Sequence, residues 1–188
     1  MNTPNKLTIL RIILVPFFVA ALLLGFIPHN LLIALAIFIA ASVTDFLDGR
    51  IARKNGQITS FGKFADPLAD KILVISAFLC FVELGYISSV PIIIVLFREF
   101  AVTSVRLVAA SHGRVVAANM WGKAKTVSQI IAIVVIIAVQ YFAQLTAASS
   151  NLWIIQAVDN LVLWISVVLT VISGIVYLKA NFEFIRET

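Results

Sequence analysis

Four of the nine carboxylates of the chain, Asp45, Asp48, Asp66 and Asp70, fall within one short stretch of sequence. The first two are three residues apart and the last two are four apart, so on a helix each pair lies on one face. Carboxylates held together in an apolar environment repel each other, and they are stable there only when protonated or neutralised by cations. Oxygen ligands suit hard divalent ions such as Mg²⁺ or Mn²⁺. We therefore predict a metal site formed by these aspartates.

The residues around the aspartates favour phosphate chemistry. Four carboxylates can hold two metal ions about 3.5–4 Å apart, the arrangement that clamps both oxygens in a phosphoryl displacement. Small neighbours let phosphates approach the backbone, and cationic neighbours supply donors to them. The neighbours of these two kinds are Gly49, Arg50, Ala52, Arg53, Gly62 and Lys63. A cation pathway also uses intramembrane aspartates, but it does not explain the adjacent arginine, whereas a diphosphate does.

The elements that carry these residues are predicted to be membrane helices. The chain has 188 residues, of which 62% are hydrophobic and 12% are charged; average globular domains carry about 25% charge. These values exclude a soluble globular fold and a disordered chain, and a single Cys excludes a disulfide scaffold. A transmembrane helix needs ~20 mostly apolar residues, so the length accommodates about six. We predict an all-α polytopic membrane protein, a bundle of six transmembrane helices forming a single domain over residues 1–188.

Six apolar stretches are predicted to span the membrane: Leu7–Ile27, Leu31–Arg53, Ser60–Leu84, Ser89–Ser111, Trp121–Phe142 and Val158–Lys179. A short interfacial helix is predicted at residues 151–157, where Trp153 suits the headgroup level. The connections after the first, third and fifth spans contain no Lys or Arg, so the positive-inside rule places both termini in the cytoplasm. The aspartates then lie at the cytoplasmic ends of spans 2 and 3, at similar depth.

The stretch from Asp45 to Asp70 reads DFLDGRIARKNGQITSFGKFADPLAD. It resembles the signature of the CDP-alcohol phosphatidyltransferase family, D-x2-D-G-x2-A-R-x8-G-x3-D-x3-D. All eight fixed positions are present: Asp45, Asp48, Gly49, Ala52, Arg53, Gly62, Asp66 and Asp70. The family joins a CDP-linked lipid to an alcohol and releases CMP, and its six-span architecture agrees with the hydropathy pattern.

The resemblance implies a role for each of these positions. Asp45, Asp48 and Asp66 are implied to bind two divalent ions, Mg²⁺ or Mn²⁺. Asp70 is implied to be a ligand or neighbour of these ions and the general base that deprotonates the acceptor hydroxyl. The residues assigned to CDP-diacylglycerol binding are Gly49, Ala52, Arg53, Gly62, Asn5 and Thr8. The implied location is a bacterial cell membrane, with the active site facing the cytoplasm.

Sequence blocks outside the motif indicate the acceptor. The segment from Pro4 to Arg11, the span 4 arginines and the segment from Gly122 to Thr126 resemble family members that use glycerol 3-phosphate. An anionic acceptor needs cationic groups beside the metal site, and the candidates are Arg98, Arg106, Lys123 and Lys125. The two lysines fit an ordinary cytoplasmic loop equally well.

Arg98 lies deep enough in span 4 to need a partner. Glu99 is adjacent in sequence and is predicted to point elsewhere on the helix, which leaves an aspartate or the acceptor phosphate as the partner.

Other interpretations stay open at this point. An inositol phosphate or phosphatidylglycerol would serve as acceptor in the same chemistry, and a cation transporter using the same aspartates is a more distant alternative. The expected partners are the two substrates and membrane lipid, with no nucleic acid. A homodimer through spans 3 or 4 is compatible with the apolar faces, and so is contact with lipid.

Overall fold

The computed structural model describes the backbone of residues 3–55, 60–111, 120–146 and 152–182, and the side chains of 7–44, 68–69, 71–110, 120–146 and 152–182. The regular structure in these ranges is entirely helical, which confirms the predicted all-α class. The helices are α1 (Thr3–Leu23), α2 (Asn30–Asn55), α3 (Ser60–Glu83), α4 (Ser89–Ser111), α5 (Met120–Leu145) and α6 (Leu152–Ala180). Each of them overlaps one predicted span.

The ends of the helices follow local sequence signals. The turn after α1 contains Gly25 and Pro28, and His29 has a positive φ of 54°. Beyond α3, Gly85 has a φ of 72°, the left-handed conformation that glycine adopts most readily and that commonly ends helices. Pro91 lies in the first turn of α4, where its missing N–H leaves no hydrogen bond unmade.

The separate interfacial helix predicted at residues 151–157 is wrong. Helix α6 begins at Leu152 and continues without a break to Ala180, because no Gly or Pro interrupts its backbone hydrogen bonds before Gly174. Trp153 lies in its first turn and is largely exposed. The helix has 29 residues, so its length of roughly 43 Å exceeds the ~30 Å hydrocarbon layer of a bilayer.

In the part of the chain that the structure describes, helices α5 and α6 are by length and composition apolar enough to cross a membrane. Within the described residues, α1 and α2 contain shorter apolar segments, Leu7–Leu23 and Asn30–Thr44. Helix α4 also exposes a row of large apolar side chains, and contiguous exposed apolar surface indicates contact with lipid or another protein. The row consists of Val90, Ile93, Phe97, Phe100 and Leu107.

One compact unit comprises Met1–Gly85 and Ile137–Leu152. In it, α1 packs against both α2 and α3. Phe18 of α1 and Phe38 of α2 are fully buried, with ring centroids 5.6 Å apart. The Nδ2 atom of Asn30 donates a hydrogen bond to the carbonyl of Leu22 at 3.4 Å. Helix α1 is therefore the common neighbour of the two helices that carry the aspartate motif.

The other compact unit comprises Tyr86–Ile136 and Trp153–Thr188. Two hydrogen bonds show that α4 and α6 run in the same direction in this unit. Arg98 of α4 bonds to Ser173 of α6, and further along both helices Arg106 bonds to Tyr177. Val102 and Val105, between the two arginines, pack against Tyr177 in an apolar cluster. This unit carries all four residues that the sequence assigns to the acceptor.

Candidate functional site

The four predicted metal ligands lie on two helices of the first unit. Asp45 and Asp48 are in α2, and Asp66 and Asp70 are in α3, so the helical spacing assumed for each pair holds. Their side chains fall outside the described residues, as do the side-chain positions of Asn5, Gly49, Ala52, Arg53 and Gly62. Among the described residues there is no group of three or more His, Cys, Asp or Glu that could hold a metal. The aspartate cluster therefore stays a prediction.

The interior of the first unit also contains two polar residues of α1. Thr8, which is predicted to bind CDP-diacylglycerol, and Arg11 are both completely buried. They are three residues apart and so share one face of the helix. A buried guanidinium must be hydrogen-bonded or paired, so Arg11 is more than a surface anchor for membrane topology. The sequence signal for Arg11 is an arginine inside an apolar run, and we add Arg11 to the candidate site residues.

A buried group of three charged side chains, which we call the Arg98–Glu99–Lys125 triad, joins α4 to α5 in the second unit. Arg98 Nη1 donates to Glu99 Oε1 at 3.0 Å, and Lys125 Nζ donates to the same oxygen. The side chains of Arg98, Glu99 and Lys125 are 12%, 10% and 9% exposed. Two cations and one carboxylate leave the triad with one net positive charge.

The prediction that Glu99 points away from Arg98 is wrong. Adjacent helical residues do diverge, but an arginine side chain is long and flexible, and its guanidinium reaches the carboxylate of the next residue at 3.0 Å. The side chain of Arg98 is only 12% exposed, and this bend is favourable because an unpaired charge in a region of low dielectric constant is costly. Arg98 therefore has a protein partner of its own.

Helix α6 holds the other side of the Arg98 side chain. Arg98 Nη2 donates to Ser173 Oγ at 2.7 Å, and its aliphatic part lies against Gly174. A Cβ atom added at Gly174 would be 2.8 Å from Arg98 Cγ, closer than carbon atoms pack. The buried Nε of Arg98 has no hydrogen-bond partner among the described residues, so one donor is left over for a ligand or water.

We expect Gly174→Ala to destabilise the protein. The added methyl group must displace Arg98 near the middle of its side chain, and overpacking of this kind typically costs about 1–3 kcal/mol. The thermal midpoint in detergent should fall by several degrees. Gly25→Ala is the matched control, because no atom of the described residues lies within 4 Å of a Cβ at Gly25. Equal midpoints for the two variants would show that Arg98 moves aside freely.

Arg106 has a different environment from Arg98. It is exposed, its Nε donates to Tyr177 Oη at 3.3 Å, and its guanidinium carbon lies 5.3 Å from the centre of the tyrosine ring. Such stacking fixes the plane of the guanidinium. In the part of the chain that the structure describes, Tyr177 is the only hydrogen-bond partner of Arg106, so Nη1 and Nη2 are available to an anion.

The two candidate lysines lie in helix α5, which begins at Met120, rather than in a loop. Residues two apart on a helix point in directions about 200° apart. Lys125 is accordingly buried and paired with Glu99, whereas Lys123 is exposed. The structure therefore brings Lys125 together with Arg98 and leaves Lys123 on another side of the helix.

Sequence reasoning missed the polar face of α6. Its members are buried and recur every three or four residues, as one face of a helix requires: Ser166, Thr170, Ser173 and Tyr177. Thr170 accepts a hydrogen bond from Gln129 of α5 at 3.4 Å. The spacing of these polar residues is visible in the sequence. It is the signal that could have identified Ser173 and Tyr177 as the partners of Arg98 and Arg106.

The chain is similar to known proteins of one family. The model of the CDP-alcohol phosphatidyltransferase family matches residues 1–172. The chain is 40% identical to the CDP-diacylglycerol–glycerol-3-phosphate 3-phosphatidyltransferase of Bacillus subtilis, with 100% of this chain and 98% of that protein covered. Proteins of the same name from Haemophilus influenzae and Rickettsia bellii are 38% and 36% identical, each over 95% of this chain and over 92% and 94% of their own lengths.

Proposed function

Because the chain belongs to the CDP-alcohol phosphatidyltransferase family, we propose that it transfers the phosphatidyl group of CDP-diacylglycerol to sn-glycerol 3-phosphate. The products are phosphatidylglycerol phosphate and CMP, so the protein acts as a phosphatidylglycerophosphate synthase. The observation that carries this proposal is the full-length similarity to relatives that bear the name of this reaction. The complete eight-position motif on α2 and α3 supports it.

The donor set of the motif fits divalent cations. Four carboxylates at helical spacings on two helices of one compact unit supply only oxygen ligands, which hard ions such as Mg²⁺ and Mn²⁺ prefer. We propose that Asp45, Asp48, Asp66 and Asp70 hold two such ions. Bound there, the ions would neutralise the diphosphate and stabilise the charge that develops on the leaving CMP.

Side chains of the protein carry out proton transfer and bind the donor. Asp70 accepts the proton of the acceptor hydroxyl, whose oxygen forms a bond to the phosphorus that carries diacylglycerol. The bond from that phosphorus to CMP breaks, and CMP leaves with the electron pair. We assign binding of the cytidine diphosphate part of the donor to Gly49, Ala52, Arg53, Gly62, Asn5 and Thr8.

We assign binding of the acceptor phosphate to cationic side chains of α4 and α5. Arg106 presents an exposed guanidinium whose plane is fixed by Tyr177, and planar guanidinium groups bind phosphate oxygens in pairs. The Arg98–Glu99–Lys125 triad adds one net positive charge in the same unit. Lys123 contributes from the exposed side of α5 by attracting the anionic acceptor.

We further propose that all six helices span a bacterial cell membrane as one domain over residues 1–188, with both termini in the cytoplasm. The absence of Lys and Arg from the connections on one side supports this orientation. The reactive groups then face the cytoplasm, where glycerol 3-phosphate is dissolved, while the acyl chains stay in lipid. A homodimer is compatible with the apolar row on α4.

We expect Arg106→Ala to raise the KM for glycerol 3-phosphate by about tenfold, because it removes a charge-assisted contact to the acceptor phosphate. The KM for CDP-diacylglycerol should change little. Lys179→Ala is the matched control, since Lys179 is an exposed cation at the last turn of α6. Equal increases in both KM values for Arg106→Ala would contradict its assignment to the acceptor phosphate.

An acceptor panel tests the proposed function. Purified protein with CDP-diacylglycerol and Mg²⁺ is offered glycerol 3-phosphate, inositol 1-phosphate, phosphatidylglycerol or serine, and CMP release is measured. We expect release with glycerol 3-phosphate and formation of phosphatidylglycerol phosphate. Preferential release with another acceptor would keep the chemistry and overturn the acceptor. No release with any of them would overturn the proposed function.

A further inference from the structure

Glu99 contacts two cationic side chains that come from different helices. The guanidinium of Arg98 on α4 and the ammonium of Lys125 on α5 both donate to one carboxylate oxygen, Oε1. Residues 99 and 125 are far apart in sequence, so only the packing of α4 against α5 brings them together. One atom of Glu99 therefore contacts both cationic groups.

Two cations cannot be held this close in a buried region without an anion between them. Their repulsion is strong where the dielectric constant is low, and burial removes the water that would screen it. Glu99 relieves the repulsion and still leaves one net positive charge. A buried charged group is seldom the most stabilising solution, since apolar residues of similar size often serve stability equally well. The triad therefore has a better explanation in ligand binding than in stability.

The opposite side of Arg98 is fixed as well. Ser173 accepts a hydrogen bond from Nη2 at 2.7 Å, and Gly174 leaves just enough space for the aliphatic part of the side chain. Arg98 is thus held by Glu99 on one side and by α6 on the other, while its Nε has no partner among the described residues. A cation fixed in this way, with a donor left over, is preorganised to attract an anion.

We propose that Glu99 is a positioning residue for the acceptor, which holds Arg98 and Lys125 in the arrangement that attracts the phosphate of glycerol 3-phosphate. This inference rests on the proposed function and deepens it. Glu99 contacts the two cations rather than the acceptor, and its carboxylate sets their separation. Loss of that carboxylate removes the contact that ties Lys125 to Arg98, so the separation of the two cations that meet the acceptor phosphate is no longer set.

The test is the kinetics of Glu99→Gln, with Glu99→Asp as the conservative variant. For Glu99→Gln we expect the KM for glycerol 3-phosphate to rise by about tenfold, with the KM for CDP-diacylglycerol changed by less than about twofold. Glu99→Asp keeps the charge on a shorter side chain and should recover part of the loss. Thr170→Val is the matched control, because it removes a buried hydrogen bond between α5 and α6 that involves no charge.

The outcomes separate positioning from stability. An unchanged acceptor KM in Glu99→Gln, together with a fall in thermal midpoint like that of Thr170→Val, would assign Glu99 to stability alone and overturn the proposal. A lower acceptor KM would also overturn it, because the carboxylate would then compete with the phosphate for the two cations. If Glu99→Gln does not fold, the comparison of Glu99→Asp with Thr170→Val decides in the same way.

Failure of the proposed function gives a different result. In that case the wild-type protein itself does not use glycerol 3-phosphate in the acceptor panel. Failure of the inference on Glu99 instead leaves wild-type turnover of glycerol 3-phosphate intact and removes only the difference in KM between the variants.

Discussion

Replacement of Asp70 by Asn is expected to reduce CMP release by at least about a hundredfold, the lower range of what a general base contributes. The amide is nearly the same size as the carboxylate, but it cannot accept the proton of the acceptor hydroxyl. It is also a weaker metal ligand, so the loss should exceed that of any other substitution considered for this chain. The measurement is the initial rate of CMP release with both substrates saturating.

The control for this variant lies on the same helix. Glu83→Gln makes the same chemical change at an exposed position at the far end of α3, and it should leave the rate near that of the wild type. A folded Asp70→Asn protein, checked by its elution profile and thermal midpoint, excludes loss of structure as the cause. Turnover close to the wild-type rate in Asp70→Asn would remove Asp70 as the base.

Removal of divalent metal is expected to abolish the reaction. Incubation with excess EDTA should stop CMP release, and added Mg²⁺ or Mn²⁺ should restore it, because the four aspartates lose the ions that neutralise them and the substrate diphosphate. Metal binding to the folded state should also raise the thermal midpoint. That second readout does not depend on activity.

The control for chelation is EDTA saturated with Mg²⁺ before it is added, which should leave the rate unchanged. Asp45→Asn should reduce the rise in thermal midpoint that Mg²⁺ produces in the wild type. Full activity after complete chelation would refute the metal mechanism, and the four aspartates would then need another explanation.

The helices and the motif were accessible from the sequence because both depend on local patterns. An apolar run of about 20 residues has few alternatives to a helix in lipid, and every predicted span overlaps a helix of the structure. The start of α6 was misjudged, since the stretch from Leu152 to Ala157 contains one polar side chain, Gln156, and continues the helix without a break. The spacing of the aspartates determines their helix faces without any knowledge of tertiary contacts.

The partners of the cationic residues were decided by tertiary structure. Nothing local distinguishes Lys123 from Lys125, but only Lys125 faces Glu99 across the contact between α4 and α5. Likewise, Arg98 and Ser173 are 75 residues apart, and their contact depends on how α4 packs against α6. Spacing along a helix specifies which residues share a face, whereas the residue that each face meets depends on the packing of distant helices. The sequence alone thus determined the family, the helices and the predicted metal ligands, and the packed structure identified Glu99 as the residue that joins two of the predicted acceptor cations.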